Sequence, residues 1–141
     1  MARIKVLVLE DQDDEAALYC RMINDMGYDC SFVTSSEQAF VSLGDEKADI
    51  LFIDIYLKED HTGIQLIPKF KKLYPELIII VLTHSMELQD SVDAIKNGAM
   101  DYLTKPFDPA LFKQRIKNAV DKVKHDRLKR ATGRQANIKG V

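Results

Sequence analysis

Apolar residues in this chain come in short runs separated by longer stretches of helical period. The runs are IKVLVL (4–9), CSFVT (30–34), DILFI (49–53), LIIIVL (77–82) and DYLT (101–104). They are rich in β-branched residues, and several are apolar at every position rather than at every second one. That pattern predicts parallel strands covered on both faces. The first helical stretch runs from about Asp14 to Met26, with Ala16, Tyr19, Cys20 and Ile23 on one face and Gly27 placed to end it. The second starts at the capping hydroxyls Ser35 and Ser36 and ends near Leu43. The third runs from Gly63 to about Tyr74, before Pro75, with Ile64, Ile67 and Phe70 on one face. The fourth covers Glu87 to Asn97, with Gly98 behind it. The fifth opens with Asp108 as N-cap and Pro109 in the first turn, and its stripe is Phe112, Ile116, Ala119, Val120 and Val123. The order is (βα)5, an α/β doubly wound parallel sheet with right-handed crossovers. Alternation alone does not fix the order of the strands within the sheet.

Composition adds few constraints. The chain has 141 residues, 46% hydrophobic and 30% charged, enough for one domain with a sizeable core. The apolar runs are far shorter than the ~20 residues of a membrane-spanning helix, and the N-terminus, MARIKVLVLEDQ, turns acidic too soon for a signal peptide. The expected location is therefore the cytoplasm. Cys20 and Cys30 form no C-x-x-C pair and no cluster with His61, His84 or His125, which argues against a disulfide or a zinc site. Cys20 reads as a small hydrophobe of the first helix.

The net charge of −2 conceals an uneven distribution. Residues 121–141 carry seven basic side chains against two acidic ones, a balance of +5, while residues 1–120 carry thirteen basic and twenty acidic, a balance of −7. The apolar stripe thins after Val123, and KRATGRQANIKGV (129–141) is polar. The sequence thus predicts a globular part over 1–125 and a basic helix end, linker or disordered tail over 126–141. The tail has scattered charge and no aromatic residue, which argues against direct nucleic-acid binding.

Ligands of open parallel sheets bind beyond the carboxyl ends of the strands. At those ends stand Glu10 and Asp11 after the first strand, Thr34 and Ser35 after the second, Asp54 after the third, Thr83 after the fourth and Lys105 after the fifth. Carboxylates converging on one rim repel unless a cation lies among them. Oxygen ligands without Cys or His suit Mg²⁺ (or Mn²⁺). Asp13, Asp14 and Glu15 have a plainer reading as first-turn acids favoured by the helix dipole.

In this order the residues resemble the receiver domain of two-component response regulators, over about residues 3–125. The resemblance rests on the acid pair Glu10-Asp11, Asp54 in LFIDIYL, Thr83 in VLTHS, Tyr102, and Lys105 followed by Pro106. It implies the flavodoxin-like strand order 2-1-3-4-5. It also implies that Asp54 accepts a phosphoryl group from a histidine kinase, a phosphotransfer protein or a small acyl phosphate. Glu10, Asp11, Asp54 and the backbone carbonyl of Tyr56 would hold the metal. Lys105 and Thr83 would contact the phosphoryl oxygens, and Thr83 and Tyr102 would act as the switch. The implied output is a shift of the surface formed by the fourth helix, fifth strand and fifth helix, through which an unidentified partner or a second copy would bind. Apart from gaining and losing its own phosphoryl group, such a domain is not an enzyme.

The chain departs from the family pattern in three places. Lys58 stands where Pro is common, Gly63 comes one residue later than usual after Asp54, and the bulky His84 follows Thr83. With Tyr56 two residues past Asp54 and Ser85 two past Thr83, the sequence predicts a shielded phosphoryl site. The rival readings are a flavodoxin-like domain and a haloacid-dehalogenase-like phosphatase with Asp11 as the key group. The first lacks a phosphate-binding loop, since EDQDDE stands in its place. The second lacks a cap domain.

Overall fold

The computed structural model describes residues 2–58 and 63–139, with 134–139 described by backbone alone. Five strands alternate with five helices: β1 (Lys5–Leu9), α1 (Asp13–Asp25), β2 (Asp29–Val33), α2 (Ser36–Asp45), β3 (Ile50–Ile53), α3 (Gly63–Leu73), β4 (Ile78–Thr83), α4 (Leu88–Lys96), β5 (Asp101–Thr104) and α5 (Pro109–Lys139). All strand pairs are parallel, in the order β2-β1-β3-β4-β5.

The uninterrupted apolar runs have the cause the sequence suggested. Val6, Val8, Ile50, Phe52, Ile78 and Ile80 face a core completed by α1 and α5, through Ala16, Tyr19, Ile23, Phe112 and Ile116. The alternate residues Leu7, Leu9, Leu51, Ile53, Ile79 and Val81 face the other core, completed by Ala39, Leu43, Ile67, Phe70 and Ala94 of α2, α3 and α4. Successive strand side chains point to opposite faces, so a central strand covered on both sides must be apolar throughout.

The helix ends follow the local chemistry. Ser35 Oγ accepts a hydrogen bond from the Gln38 backbone N–H, capping α2. Asp108 Oδ1 accepts from Ala110 N at 2.9 Å at the start of α5. Gly27 follows α1 with φ +95°, where a side chain would be strained. α5 extends to Lys139, through residues for which the sequence predicted a frayed end. Past Val123 the chain contains no Pro and many good helix formers, so the backbone can continue after the apolar stripe stops. The predicted one-residue insertion after Asp54 falls largely on residues 59–62, which lie outside the described residues.

The two cysteines, ten residues apart in sequence, are neighbours in space. The closeness of the two thiols, on α1 and β2, lowers the pKa of Cys20 and raises that of Cys30. Both are free thiols. Among the described residues, no helix is long and apolar enough to cross a membrane.

Candidate functional site

Register brings the strand ends to one rim. Leu9 pairs with Ile53, Ile53 with Val81, and Thr83 with Thr104. The residues just beyond therefore emerge together, and Glu10, Asp54, Thr83 and Lys105 are all buried. Backbone bonds extend this alignment past the strands: Asp54 N–H to Leu9 O at 3.1 Å, and Lys105 N–H to Thr83 O at 2.7 Å.

Lys105 stands at the centre. Its Nζ donates to Glu15 Oε2 at 2.8 Å, Glu10 Oε1 at 2.9 Å and Asp54 Oδ2 at 3.0 Å. The peptide that follows, to Pro106, is cis. The ring of Tyr19 lies 5.5 Å from the ammonium and packs in turn on Phe107 and Phe112. Burial alone would lower the lysine pKa, but its hydrogen bonds to Glu15 and Glu10 and the charge of Asp54 raise it above the ordinary value.

The four carboxylates differ in environment. Burial pushes Glu10 up to about 9, and its neighbours Glu15 and Asp54 add to the shift. Glu10 Oε2 is buried with no hydrogen-bond partner. Glu15, beside Glu10 and hydrogen-bonded to Lys105, is lowered to about 2. Asp54 Oδ1 accepts from Tyr56 N–H at 2.9 Å, and Asp11 Oδ2 accepts from Lys58 N–H at 2.9 Å. His84 Nε2 lies 3.5 Å from Glu15 Oε1 at the edge of the site. A cavity of about 400 Å³ opens among these groups, lined by Glu10, Asp11, Asp54, Tyr56, Thr83 and His84, with Gln12, Glu15 and Lys58 at its margin.

Carboxylates thus outnumber the cations around the cavity. The donors are hard oxygens, and one buried oxygen of Glu10 is unpaired, so the set suits a divalent cation in type and charge. Among the described residues, no three acidic, His or Cys side chains form a ready-made ligand group; Lys105 occupies the centre instead.

The raised Glu10 pKa has a measurable consequence. A group whose folded pKa lies above its unfolded value stabilises the fold fully below the unfolded value of about 4.5, and that stability is lost as pH rises towards about 9. Glu10→Gln removes this penalty. In metal-free buffer the variant should melt about 2–4 °C above wild type at pH 8, the shift that ~1 kcal/mol gives in a domain of this size, and the gap should close towards pH 5. Melting curves at the two pH values check this; an equal or lower melting temperature at pH 8 would refute it.

The switch residues lie on the α4 side of the sheet. Thr83 is fully buried at the end of β4, with Oγ1 3.4 Å from the Ser85 N–H. Tyr102 is partly buried against the α2–α4 core, and its hydroxyl donates to the Ser85 carbonyl at 3.1 Å. Gly63, at the start of α3, donates its N–H to Ile55 O at 2.8 Å. A Cβ there would lie 2.6 Å from both Asp54 O and Ile55 Cα, which are backbone atoms that cannot swing aside. Gly63→Ala should therefore cost about 1–3 kcal/mol, as overpacking does, and should displace Asp54. A denaturant midpoint equal to wild type would contradict this.

Glu10, Asp11, Asp54, Tyr56, Thr83 and Lys105 gather at this rim, Tyr102 reaches it through Ser85, and Thr34 and Ser35 bond to α2 instead. Sequence reasoning missed Glu15, which it assigned to the helix dipole. A signal existed: Glu15 precedes buried Tyr19 by four residues, on the same face of α1. Asp90, which contacts Tyr56 and Ser85, gave no sequence signal.

Comparison with known proteins agrees with this geometry. The family model for the response regulator receiver domain matches residues 6–117. The luminescence regulatory protein LuxO of Vibrio campbellii is 30% identical over 82% of this chain and 25% of its own length. The nitrogen assimilation regulatory protein NtrX of Azorhizobium caulinodans is 26% identical over 73% of this chain and 23% of its own. The chain therefore spans about a quarter of the length of these curated relatives. Among solved structures, the receiver domain of NtrX from Brucella abortus superposes with a TM-score of 0.78 at 26% identity, over 82% of this chain and 98% of that one. A CheY-like receiver domain protein from Methanospirillum hungatei gives 0.82 at 23% identity, over 89% and 99%, a likeness of fold alone. This chain belongs to the response regulator receiver domain family and is a component of two-component signalling.

Proposed function

We propose that the chain is a phospho-accepting switch with Asp54 as acceptor. The observation that carries this reading is the buried contact of Asp54 with Lys105 in an open, carboxylate-lined cavity at the strand ends. An oxygen of the Asp54 carboxylate attacks phosphorus, and the P–N bond of a phosphohistidine, or the P–O bond of an acyl phosphate, breaks. The leaving group takes the bonding electron pair. Lys105 pairs with the incoming phosphoryl oxygens, and Thr83 donates its hydroxyl to one of them. Glu10, Asp11, Asp54 and the Tyr56 carbonyl would hold Mg²⁺ or Mn²⁺, which supplies charge neutralisation. Tyr56 and His84, both at the cavity wall, shield the phosphoryl group from water.

The donor would be a sensor histidine kinase or phosphotransfer protein, and the location the cytoplasm. The output would pass through α4, β5 and α5, to a partner or a second copy. Exposed Leu88, Val92 and Ile95 form an apolar stripe on α4, which supports a partner surface there. Residues 1–125 would be the receiver and the basic stretch from 126 a linker or tail. The rival reading, with Asp11 as the key group, gains nothing from the geometry, since Asp11 has no contact with Lys105.

Beryllofluoride with Mg²⁺ tests the reading. Backbone amide shifts are expected in residues 83–88 and in β5, where Thr83 and Tyr102 respond to an occupied Asp54. Shifts confined to residues 10–12 would overturn it.

A further inference from the structure

We propose that Asp90 is a positioning residue that fastens Tyr56 across the mouth of the acceptor cavity and ties it to the seat of Tyr102. Access to Asp54 and the position of Tyr102 would then change together. This rests on the phospho-acceptor reading above.

One oxygen, Asp90 Oδ2, accepts two hydroxyls: Tyr56 Oη at 2.6 Å and Ser85 Oγ at 2.5 Å. Tyr56 is held at both ends, its backbone N–H on Asp54 and its ring tip on Asp90. Tyr56 is 53% exposed, so burial does not hold it in place. Ser85 is held in turn: its Oγ accepts from Glu87 N–H at 3.3 Å, and its carbonyl accepts the Tyr102 hydroxyl. A continuous set of hydrogen bonds therefore runs from Asp54 through Tyr56, Asp90 and Ser85 to Tyr102, spanning the β3–α3 loop, the first turn of α4 and β5.

The chemistry favours this assignment over simple capping of α4. A first-turn carboxylate that served only the helix dipole would need no hydroxyl partners. Here one carboxylate oxygen accepts two hydroxyls at short distance, the geometry of the stronger, charge-assisted class of hydrogen bond.

The test uses the full chain labelled with 3-fluorotyrosine, with the fluorine resonances of its five tyrosines assigned by Phe variants. Without metal or phosphoryl donor, Asp90→Ala should move the resonances of Tyr56 and Tyr102 and leave those of Tyr19, Tyr28 and Tyr74 in place. Tyr56→Phe should move that of Tyr102. After loading with acetyl phosphate, either variant should lose its phosphoryl group about fivefold faster, the factor carried by one net hydrogen bond of ~1 kcal/mol. The double variant should be no faster than either single one, because each removes the same bond. Asp90→Asn, which keeps an acceptor, should recover part of the effect.

An unmoved Tyr56 resonance in Asp90→Ala would overturn the proposal, as would multiplicative effects in the double variant. If Asp90→Ala does not fold, Tyr56→Phe, which removes one hydroxyl, carries the same test from the other end. Fluorine shifts as expected in a chain that takes up no phosphoryl group would uphold the fastening and defeat the phospho-acceptor reading instead.

Discussion

Asp54→Asn is expected to take up no phosphoryl group from acetyl phosphate and Mg²⁺, under conditions in which the wild-type chain takes up one. The substitution keeps the shape of the side chain and can still accept the Tyr56 N–H. It removes the negative oxygen that now faces Lys105 Nζ at 3.0 Å, and an amide oxygen is a poor nucleophile. Rate, not stability, should suffer, since Glu15 still neutralises the lysine. Intact mass compared with wild type reads the outcome. Label retained in Asp54→Asn and lost in Asp11→Asn would transfer the acceptor role to Asp11.

Lys105→Met should produce the largest loss of stability. The lysine side chain is 2% exposed and pairs with Asp54, which is almost as deeply buried, while also donating to Glu10. Removing one member of a buried ionic group leaves the others uncompensated, at a cost of about 3–5 kcal/mol. Methionine fills much the same volume, so the loss is electrostatic rather than a cavity effect. Urea titrations at pH 7 measure the deficit. A midpoint equal to wild type would mean that Lys105 is not the counter-ion of this site.

Much of the fold could be read from the chain because both faces of its sheet are covered. Runs such as LFI and IIIVL are apolar at every position only where two layers of helices pack on them. The site was legible for a related reason: charged or hydroxyl residues that directly follow such runs emerge at the carboxyl rim. Asp54, Thr83 and Lys105 each follow such a run, and the structure brings them, buried, to that rim. Glu15, Asp90 and the Cys20–Cys30 contact could not be read from the chain. Each depends on how far a helix side chain reaches towards another element, and that distance is set by packing rather than by local pattern. Glu15 also had a sufficient local explanation at the start of α1, which masked its contact with Lys105. The extent of α5 was not legible, because loss of an apolar stripe removes tertiary support without removing helix propensity, and the helix continues to Lys139.

Every role proposed for this site follows from the phosphoryl group resting on Asp54. The most direct measurement is to load the protein with acetyl phosphate and Mg²⁺, reduce the acyl phosphate with borohydride, and locate the modified residue by tandem mass spectrometry of its peptides. Homoserine is expected at position 54 and nowhere else. Homoserine at position 11, or a loaded protein with no aspartate converted, would contradict it.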